Sequence, residues 1–249
     1  MSLRQAAYAL DPAIWAMDSL GLEPDPWQIR ALRSSAKRSI WNIHRQAGKS
    51  SVAAIKALHK NIFRPGSLVL MVSPSLRQSG ELFRKWISYY DLLDNTPGFK
   101  EDTKLSAELE NGSRCVSLPG SEATIRGYSA PALVIEDESA RVADDYHYSI
   151  KPMLAVSGGE LLLMSTPFGQ RGHFFHIFTE AGPEWQKISV PATECPRITP
   201  EFLEEERRSM PKAWFESEYM CQFTAAVDSV FGYEDVMRAI SSDIEPLEV

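Results

Sequence analysis

The sequence predicts an α/β fold: a central, mostly parallel sheet flanked by helices. Three observations carry this. Short uninterrupted apolar runs such as Leu68-Val69-Leu70-Met71-Val72 and Leu161-Leu162-Leu163-Met164 alternate with longer amphipathic stretches, and strands apolar at every position are those covered on both faces. The segment His44-Arg45-Gln46-Ala47-Gly48-Lys49-Ser50 stands between a strand pattern and a helix pattern. Leu133-Val134-Ile135 runs straight into Glu136-Asp137-Glu138.

Taken in order, residues 1–38 form an N-terminal helical region carrying Trp27-Gln28. Residues 39–43 read as a strand, and 50–63 as a helix with Val52, Ile55, Leu58 and Ile62 on one face. Residues 68–72 are a buried strand ended by Ser73-Pro74. Residues 81–93 are helical, and their stripe of Phe83, Trp86 and Tyr90 has the spacing of a core-facing side. Short strands follow at 114–118, 133–135 and 161–164. Thr199-Pro200-Glu201 is a helix start, with Thr as cap, Pro at the first position and an acid in the first turn. Pro211 begins another helix carrying Trp214, Phe215 and Tyr219. The expected plan is the N-terminal region (1–38), an α/β core (39–194), a helical lid subdomain (195–232) and a final segment (233–249).

Composition narrows the class. The 249 residues are 44% hydrophobic and 24% charged, the balance of a globular domain rather than a disordered or collagen-like chain. The apolar runs are too short for a membrane span, so no membrane partner is expected. The first residues lack a basic-then-apolar signal pattern, so secretion is not expected. Cys115, Cys195 and Cys221 are far apart and show no metal-ligand spacing. The net charge of −7 argues against coating nucleic acid by bulk charge. Its distribution says more: residues 201–249 hold 12 acids and 4 bases, whereas residues 1–200 hold 21 acids and 22 bases. Between Asp25 and Glu81 there is no acid and there are ten Lys or Arg. Such a stretch is either a solvated basic face or a phosphate-handling region.

The motifs favour phosphate. In 44–50, the backbone N–H groups of the turn and helix start (Gln46, Ala47, Gly48, Lys49, Ser50 and Ser51) would face an anion. Lys49 would reach the β- and γ-phosphates and the Ser50 hydroxyl would bind Mg²⁺. Ile43 occupies the place of the usual first glycine, and the Gly-Lys-Ser tripeptide by itself also fits an ordinary basic helix start. In 133–138, Asp137 would hold Mg²⁺ and Glu138 would orient the attacking water; alone, this is also a strand with a solvated acidic turn. Lys49 and Asp137, 88 residues apart in the required order, together point to nucleotide hydrolysis. The order implies a RecA-like (ASCE-type) P-loop NTPase with a small helical lid. Ser165-Thr166-Pro167 ends a strand; alone it reads as a strand-terminating turn with cap residues, but beside a phosphate loop the Thr166 hydroxyl could contact the γ-phosphate or the water and report hydrolysis. Gln28 has an amide able to pair with adenine. Arg126, in Ile125-Arg126-Gly127, and Arg45, inside the loop, are candidate phosphate-contacting arginines.

Together these residues resemble the ATPase domain of the large terminase subunit of tailed double-stranded DNA bacteriophages, over about residues 24 to 233. The tail motifs Thr199-Pro200-Glu201-Phe202-Leu203-Glu204, Glu218-Tyr219-Met220-Cys221-Gln222-Phe223 and Val230-Phe231 add to the resemblance. It implies a virus-encoded motor in the host cytoplasm that uses ATP and Mg²⁺ to push double-stranded DNA through the portal into a procapsid. It also implies portal protein and small terminase subunit as partners. Arg126 matches the arginine that some terminases insert into a neighbouring subunit's site, which implies a homo-oligomeric ring, a pentamer on the portal, from a chain that is monomeric when isolated. Residues 233–249 would begin the linker to a nuclease domain absent from this chain, so no DNA cutting is expected of it. Several terminases share the departure at Ile43; Glu136 is an acid where many relatives are apolar. Two other readings share part of this pattern. One is the ATPase half of a superfamily 2-type helicase or DNA translocase, although 249 residues leave no room for a second RecA-like half. The other is a non-catalytic nucleotide-binding assembly module, against which Glu138 speaks.

Overall fold

In the computed structural model, residues 2–94, 96–119 and 127–224 are described. Three short helices come first: α1 (Leu3–Leu10), α2 (Pro12–Leu20) and α3 (Pro26–Arg33). Then follow β1 (Arg38–Ile43), α4 (Lys49–Phe63), β2 (Leu68–Ser73), α5 (Leu76–Tyr90), β3 (Phe99–Asp102), β4 (Ser106–Leu109) and β5 (Arg114–Pro119). The chain continues with β6 (Leu133–Asp137), α6 (Asp144–Ser157), β7 (Glu160–Ser165), α7 (Gly172–Glu180), β8 (Gln186–Val190), α8 (Pro200–Ser209) and α9 (Lys212–Glu218).

The eight strands form one sheet in the order β3-β4-β5-β2-β6-β7-β1-β8. All pairings from β5 to β8 are parallel, and β3 and β4 add antiparallel partners at one edge. The expected apolar strands are the central ones because both their faces are covered. Val69 and Met71 of β2 pack into a layer with Trp15, Trp27, Ile55, Phe83 and Trp86. Leu70 and Val72 enter the opposite layer with Tyr146, Ile150 and Phe174. The period-two alternation thus feeds two cores, one under α2–α5 and one under α6 and α7.

Several boundaries differ from the sequence expectation, each for a local reason. Helix α5 starts at Leu76 rather than residue 81, because the Ser75 hydroxyl accepts the Gln78 N–H at 3.4 Å and caps it. Pro211 is the N-cap of α9 rather than its first residue, and the helix ends at Glu218, leaving Tyr219 just beyond it. The β3–β4 hairpin, α6 and β8 lie outside the sequence expectation, although Tyr146, Ile150 and Leu154 of α6 recur at helical spacing on its buried face. Thr199 does cap α8, accepting the Phe202 N–H at 3.2 Å. Leu203 of α8 and Phe215 of α9 pack with Ala192 in a third small core. A bidentate ion pair from Arg197 to Asp25, at 3.0 and 2.7 Å, ties the entry to the lid to the start of α3. Among the described residues no helix is long and apolar enough to cross a membrane.

Candidate active site

Strands β6, β7 and β1 are neighbours, and their register aligns their C-terminal ends: Asp137 lies opposite Met164, and Asn42 opposite Ser165. Parallel strands deliver their following loops to the same edge, where ligands bind in α/β sheets. The loop after β1 carries residues 44–48, the turn after β6 carries Glu138, and the loop after β7 carries Thr166.

The first loop is built around left-handed backbone. Gln46 has φ 62° and Gly48 has φ 88°, and Gly48 is the N-cap of α4. A concave run of N–H groups at a helix start follows from this geometry. The φ of 88° favours glycine at 48, and a Cβ there would lie 2.9 Å from Gln28 Nε2 and displace that amide. Gln28 is buried beneath this loop: its Nε2 donates to the Ala47 carbonyl at 3.1 Å and its Oε1 accepts the Asp25 N–H at 3.1 Å. In this structure its amide therefore braces the loop. His44 is buried at the loop's base, and burial, assisted by Lys49, lowers its pKa. Ser50 and Ser51 sit in the first turn of α4, half-buried.

Lys49 and the acids converge. Lys49 Nζ lies 3.5 Å from Glu138 Oε1. Asp137 is buried and accepts the Glu138 N–H at 3.0 Å, while burial and the Glu138 charge push its pKa up to about 7. Glu138 sits at φ 51°, a left-handed turn uncommon for a non-glycine residue. Its Oε2 accepts from Arg141 at 3.0 Å and from the Ser165 hydroxyl at 3.4 Å. Arg141 also reaches Thr166 Oγ1 at 3.4 Å and packs over the Phe168 ring at 4.6 Å. The Ser50 hydroxyl and the Asp137 carboxylate are hard oxygen donors of the kind Mg²⁺ takes while keeping several waters, so the residues present fit that ion.

The end of α9 and the residues after it join the site. Arg45 pairs with Glu218 at 2.5 Å and donates its backbone N–H to the Glu218 carbonyl at 3.2 Å. Glu218 also lies 3.6 Å from Arg141. Asn42 donates to the Cys221 carbonyl at 2.7 Å, and Ser217 donates to the Pro167 carbonyl at 2.8 Å. The stretch 217–223 thus touches both the loop after β1 and the loop after β7. Sequence reasoning missed Arg141 and named Glu218 only as part of a tail motif, with no role at the site; both look like surface charges until the chain is folded. Arg126 and the segment 225–249, with Val230-Phe231 and the expected linker, lie outside the described residues.

Glu136 is fully buried, and the carboxylate meets His147 Nδ1 at 3.1 Å and His173 Nε2 at 2.7 Å. Burial alone would raise its pKa, but the two histidines outweigh it and hold it at about 2. For His173 burial works against the charged form, yet Glu136 and Asp144 prevail and its pKa is raised.

The chain is similar to several known proteins. The family described as "Terminase large subunit, T4likevirus-type, N-terminal" matches residues 42–238. A large terminase subunit from Thermus phage G20c is 26% identical over 264 residues, covering 92% of this chain and 54% of the relative. The present chain therefore spans about half the length of that relative. The ATPase domain of the large terminase of Thermus phage P74-26 has a TM-score of 0.71 at 22% identity, covering 86% of this chain and 100% of that one. The large terminase of a thermophilic bacteriophage, solved in complex with ADP, has a TM-score of 0.62 at 13% identity, covering 80% of this chain and 53% of that one. These solved structures share the RecA-like fold of the sheet and its flanking helices. With the family match running through the loops after β1, β6 and β7 and through the lid, this chain belongs to the terminase large subunit family, T4-like-virus type.

Proposed function

We propose that this chain is the ATP-hydrolysing motor domain of a viral terminase large subunit, driving double-stranded DNA through the portal into a procapsid. The observation that carries it is the convergence of Lys49, Asp137 and Glu138 at one edge of three neighbouring parallel strands. ATP would lay its phosphates on the N–H groups of residues 46–51. Lys49 would move from Glu138 to the β- and γ-oxygens, and the freed Glu138 would accept a hydrogen bond from the water in line with the γ-phosphate. Mg²⁺, held by Ser50 and Asp137, would neutralise charge between the phosphates. Thr166, bonded to Arg141, is placed to register loss of the γ-phosphate. Gln28 would act on the nucleotide through the loop it braces, or by exchanging those bonds for adenine. Arg45 would link nucleotide state to the lid through Glu218.

At the level of the assembly, the proposal is a ring of copies in the host cytoplasm, docked on the portal with the small terminase subunit. Arg126 would there reach a neighbour's γ-phosphate. The domain plan of N-terminal helices, ATPase core and lid follows from the same reading, because each part contributes one wall of the site. The test is steady-state ATPase activity. Lys49→Ala should lower kcat/KM at least about 100-fold, the size of losing a charge that stabilises the transition state. Unchanged turnover in a folded Lys49→Ala protein would overturn the site.

A further inference from the structure

Residues 134 and 136 share one face of β6, and Val134 lies in the core layer with Tyr146, Ile150 and Phe174. An apolar residue at 136 would extend that layer. The chain instead buries a carboxylate there and surrounds it with matched donors. Glu136 Oε1 accepts from Ser139 Oγ at 2.6 Å and from His173 Nε2 at 2.7 Å, and Oε2 accepts from His147 Nδ1 at 3.1 Å. Behind it, His173 Nδ1 donates to Asp144 Oδ1 at 2.8 Å, and the same oxygen accepts the His173 backbone N–H at 2.7 Å. Burying ions costs several kcal/mol each; the donors on both Glu136 oxygens offset that penalty, while His147 Nε2 on the far side of its ring is buried without a hydrogen-bond partner.

The donor set of one carboxylate and two imidazoles also suits a transition metal, but the ring geometry does not. The His147 and His173 rings are stacked, 4.0 Å between centroids and 10° between planes. An ion bound to a nitrogen lies near that ring's plane, and two nearly parallel, stacked planes share no such point. The cluster is built as a hydrogen-bonded brace.

What it braces is the catalytic edge. Ser139, gripped by Glu136, is the residue after Glu138, whose left-handed backbone costs on the order of 1 kcal/mol to hold. Asp137 fixes the near side of that turn by accepting the Glu138 N–H; Glu136 fixes the far side through Ser139. His173 stands in the first turn of α7, directly after the loop that begins with Thr166. One carboxylate therefore ties the turn carrying Glu138 to the far end of the loop carrying Thr166, and through His147 ties both to α6.

We propose that Glu136 is a positioning residue for hydrolysis, acting through Ser139 and His173 to hold Glu138 and the Thr166 loop in one fixed relation. The inference rests on the ATPase reading above, and it deepens that reading by assigning the buried acid of β6 a role. The turnover of ATP should depend on this brace while the affinity for ATP, set by residues 46–51, should not.

The test uses the full 249-residue chain. Glu136→Gln and Ser139→Ala should each lower kcat about tenfold or more and leave KM, and the affinity for a fluorescent ATP analogue, within about twofold. A third variant replaces the whole cluster with apolar groups, Glu136→Leu with His147→Leu and His173→Phe. Apolar replacement of a buried ionic cluster commonly preserves or raises stability, so this protein should melt near the wild-type temperature and still show the low kcat. Wild-type kcat in that variant, or in folded Glu136→Gln, would overturn the proposal and assign the cluster to packing. So would a stoichiometric Zn²⁺ that survives dialysis and is lost in Glu136→Gln. Glu138→Gln serves as the control: if it too retains full turnover, the ATPase reading itself has failed, whereas its inactivity beside an active Glu136→Gln overturns only the brace.

Discussion

Gln28 holds the loop after β1 from below, with one end of its amide on Ala47 and the other on Asp25. Gln28→Ala leaves a buried carbonyl and a buried N–H without these partners, a loss of about 1–3 kcal/mol. The expected outcome is a lower melting temperature together with a several-fold weaker affinity for ATP, read by calorimetry and by titration with an ATP analogue. Wild-type affinity would show that the brace is not needed to shape the loop. The legible residues of the site were those whose chemistry dictates type and place together: a lysine opening a helix, acids closing an apolar strand. Arg141 and Glu218 were not legible, because the contacts that bring them to the site, Arg141 with Thr166 and Glu218 and Glu218 with Arg45, join distant parts of the chain. Glu136 was legible only as a departure; its partners His147 and His173 come from two later helices.

Helices were legible where one face is apolar and strands where both are, which is why α4, β2 and β7 emerged and the polar β3–β4 edge did not. Start signals were less visible: Ser75 caps α5 well ahead of the periodic stretch. Packing between elements supplies a pH test. His59 of α4 donates to the Tyr8 carbonyl of α1 at 2.8 Å and packs edge-on against Trp15 of α2. Burial pushes its pKa down to about 4, below its ordinary value of 6.5. As pH falls below 6.5 the unfolded chain takes up this proton first, so the stability that comes from burying a neutral ring is complete above that pH. It is lost progressively down to about 4, at most roughly 3 kcal/mol. Melting temperatures between about pH 7 and pH 4.5 should therefore fall more steeply for the wild type than for His59→Phe. Parallel curves would contradict the role given to His59.

The net charge of −7 at first sets this molecule against DNA, but the acids concentrate beyond residue 200, and the core in front of them is balanced. A motor that releases its track in each cycle needs only a local basic grip. The ring proposed for it has a kinetic signature: if Arg126 completes a neighbour's site, hydrolysis should rise more than linearly with protein concentration, and Arg126→Ala should remove that excess. A specific rate independent of concentration would contradict a shared site. The proposed function rests on Glu138 activating the water that cleaves ATP bound by Lys49. The most direct measurement is single-turnover cleavage of ATP by stoichiometric protein with Mg²⁺. Wild-type protein should convert bound ATP to ADP and phosphate, while Glu138→Gln should hold ATP with similar affinity and cleave it at least about 100-fold more slowly. Cleavage by Glu138→Gln at the wild-type rate would contradict the account.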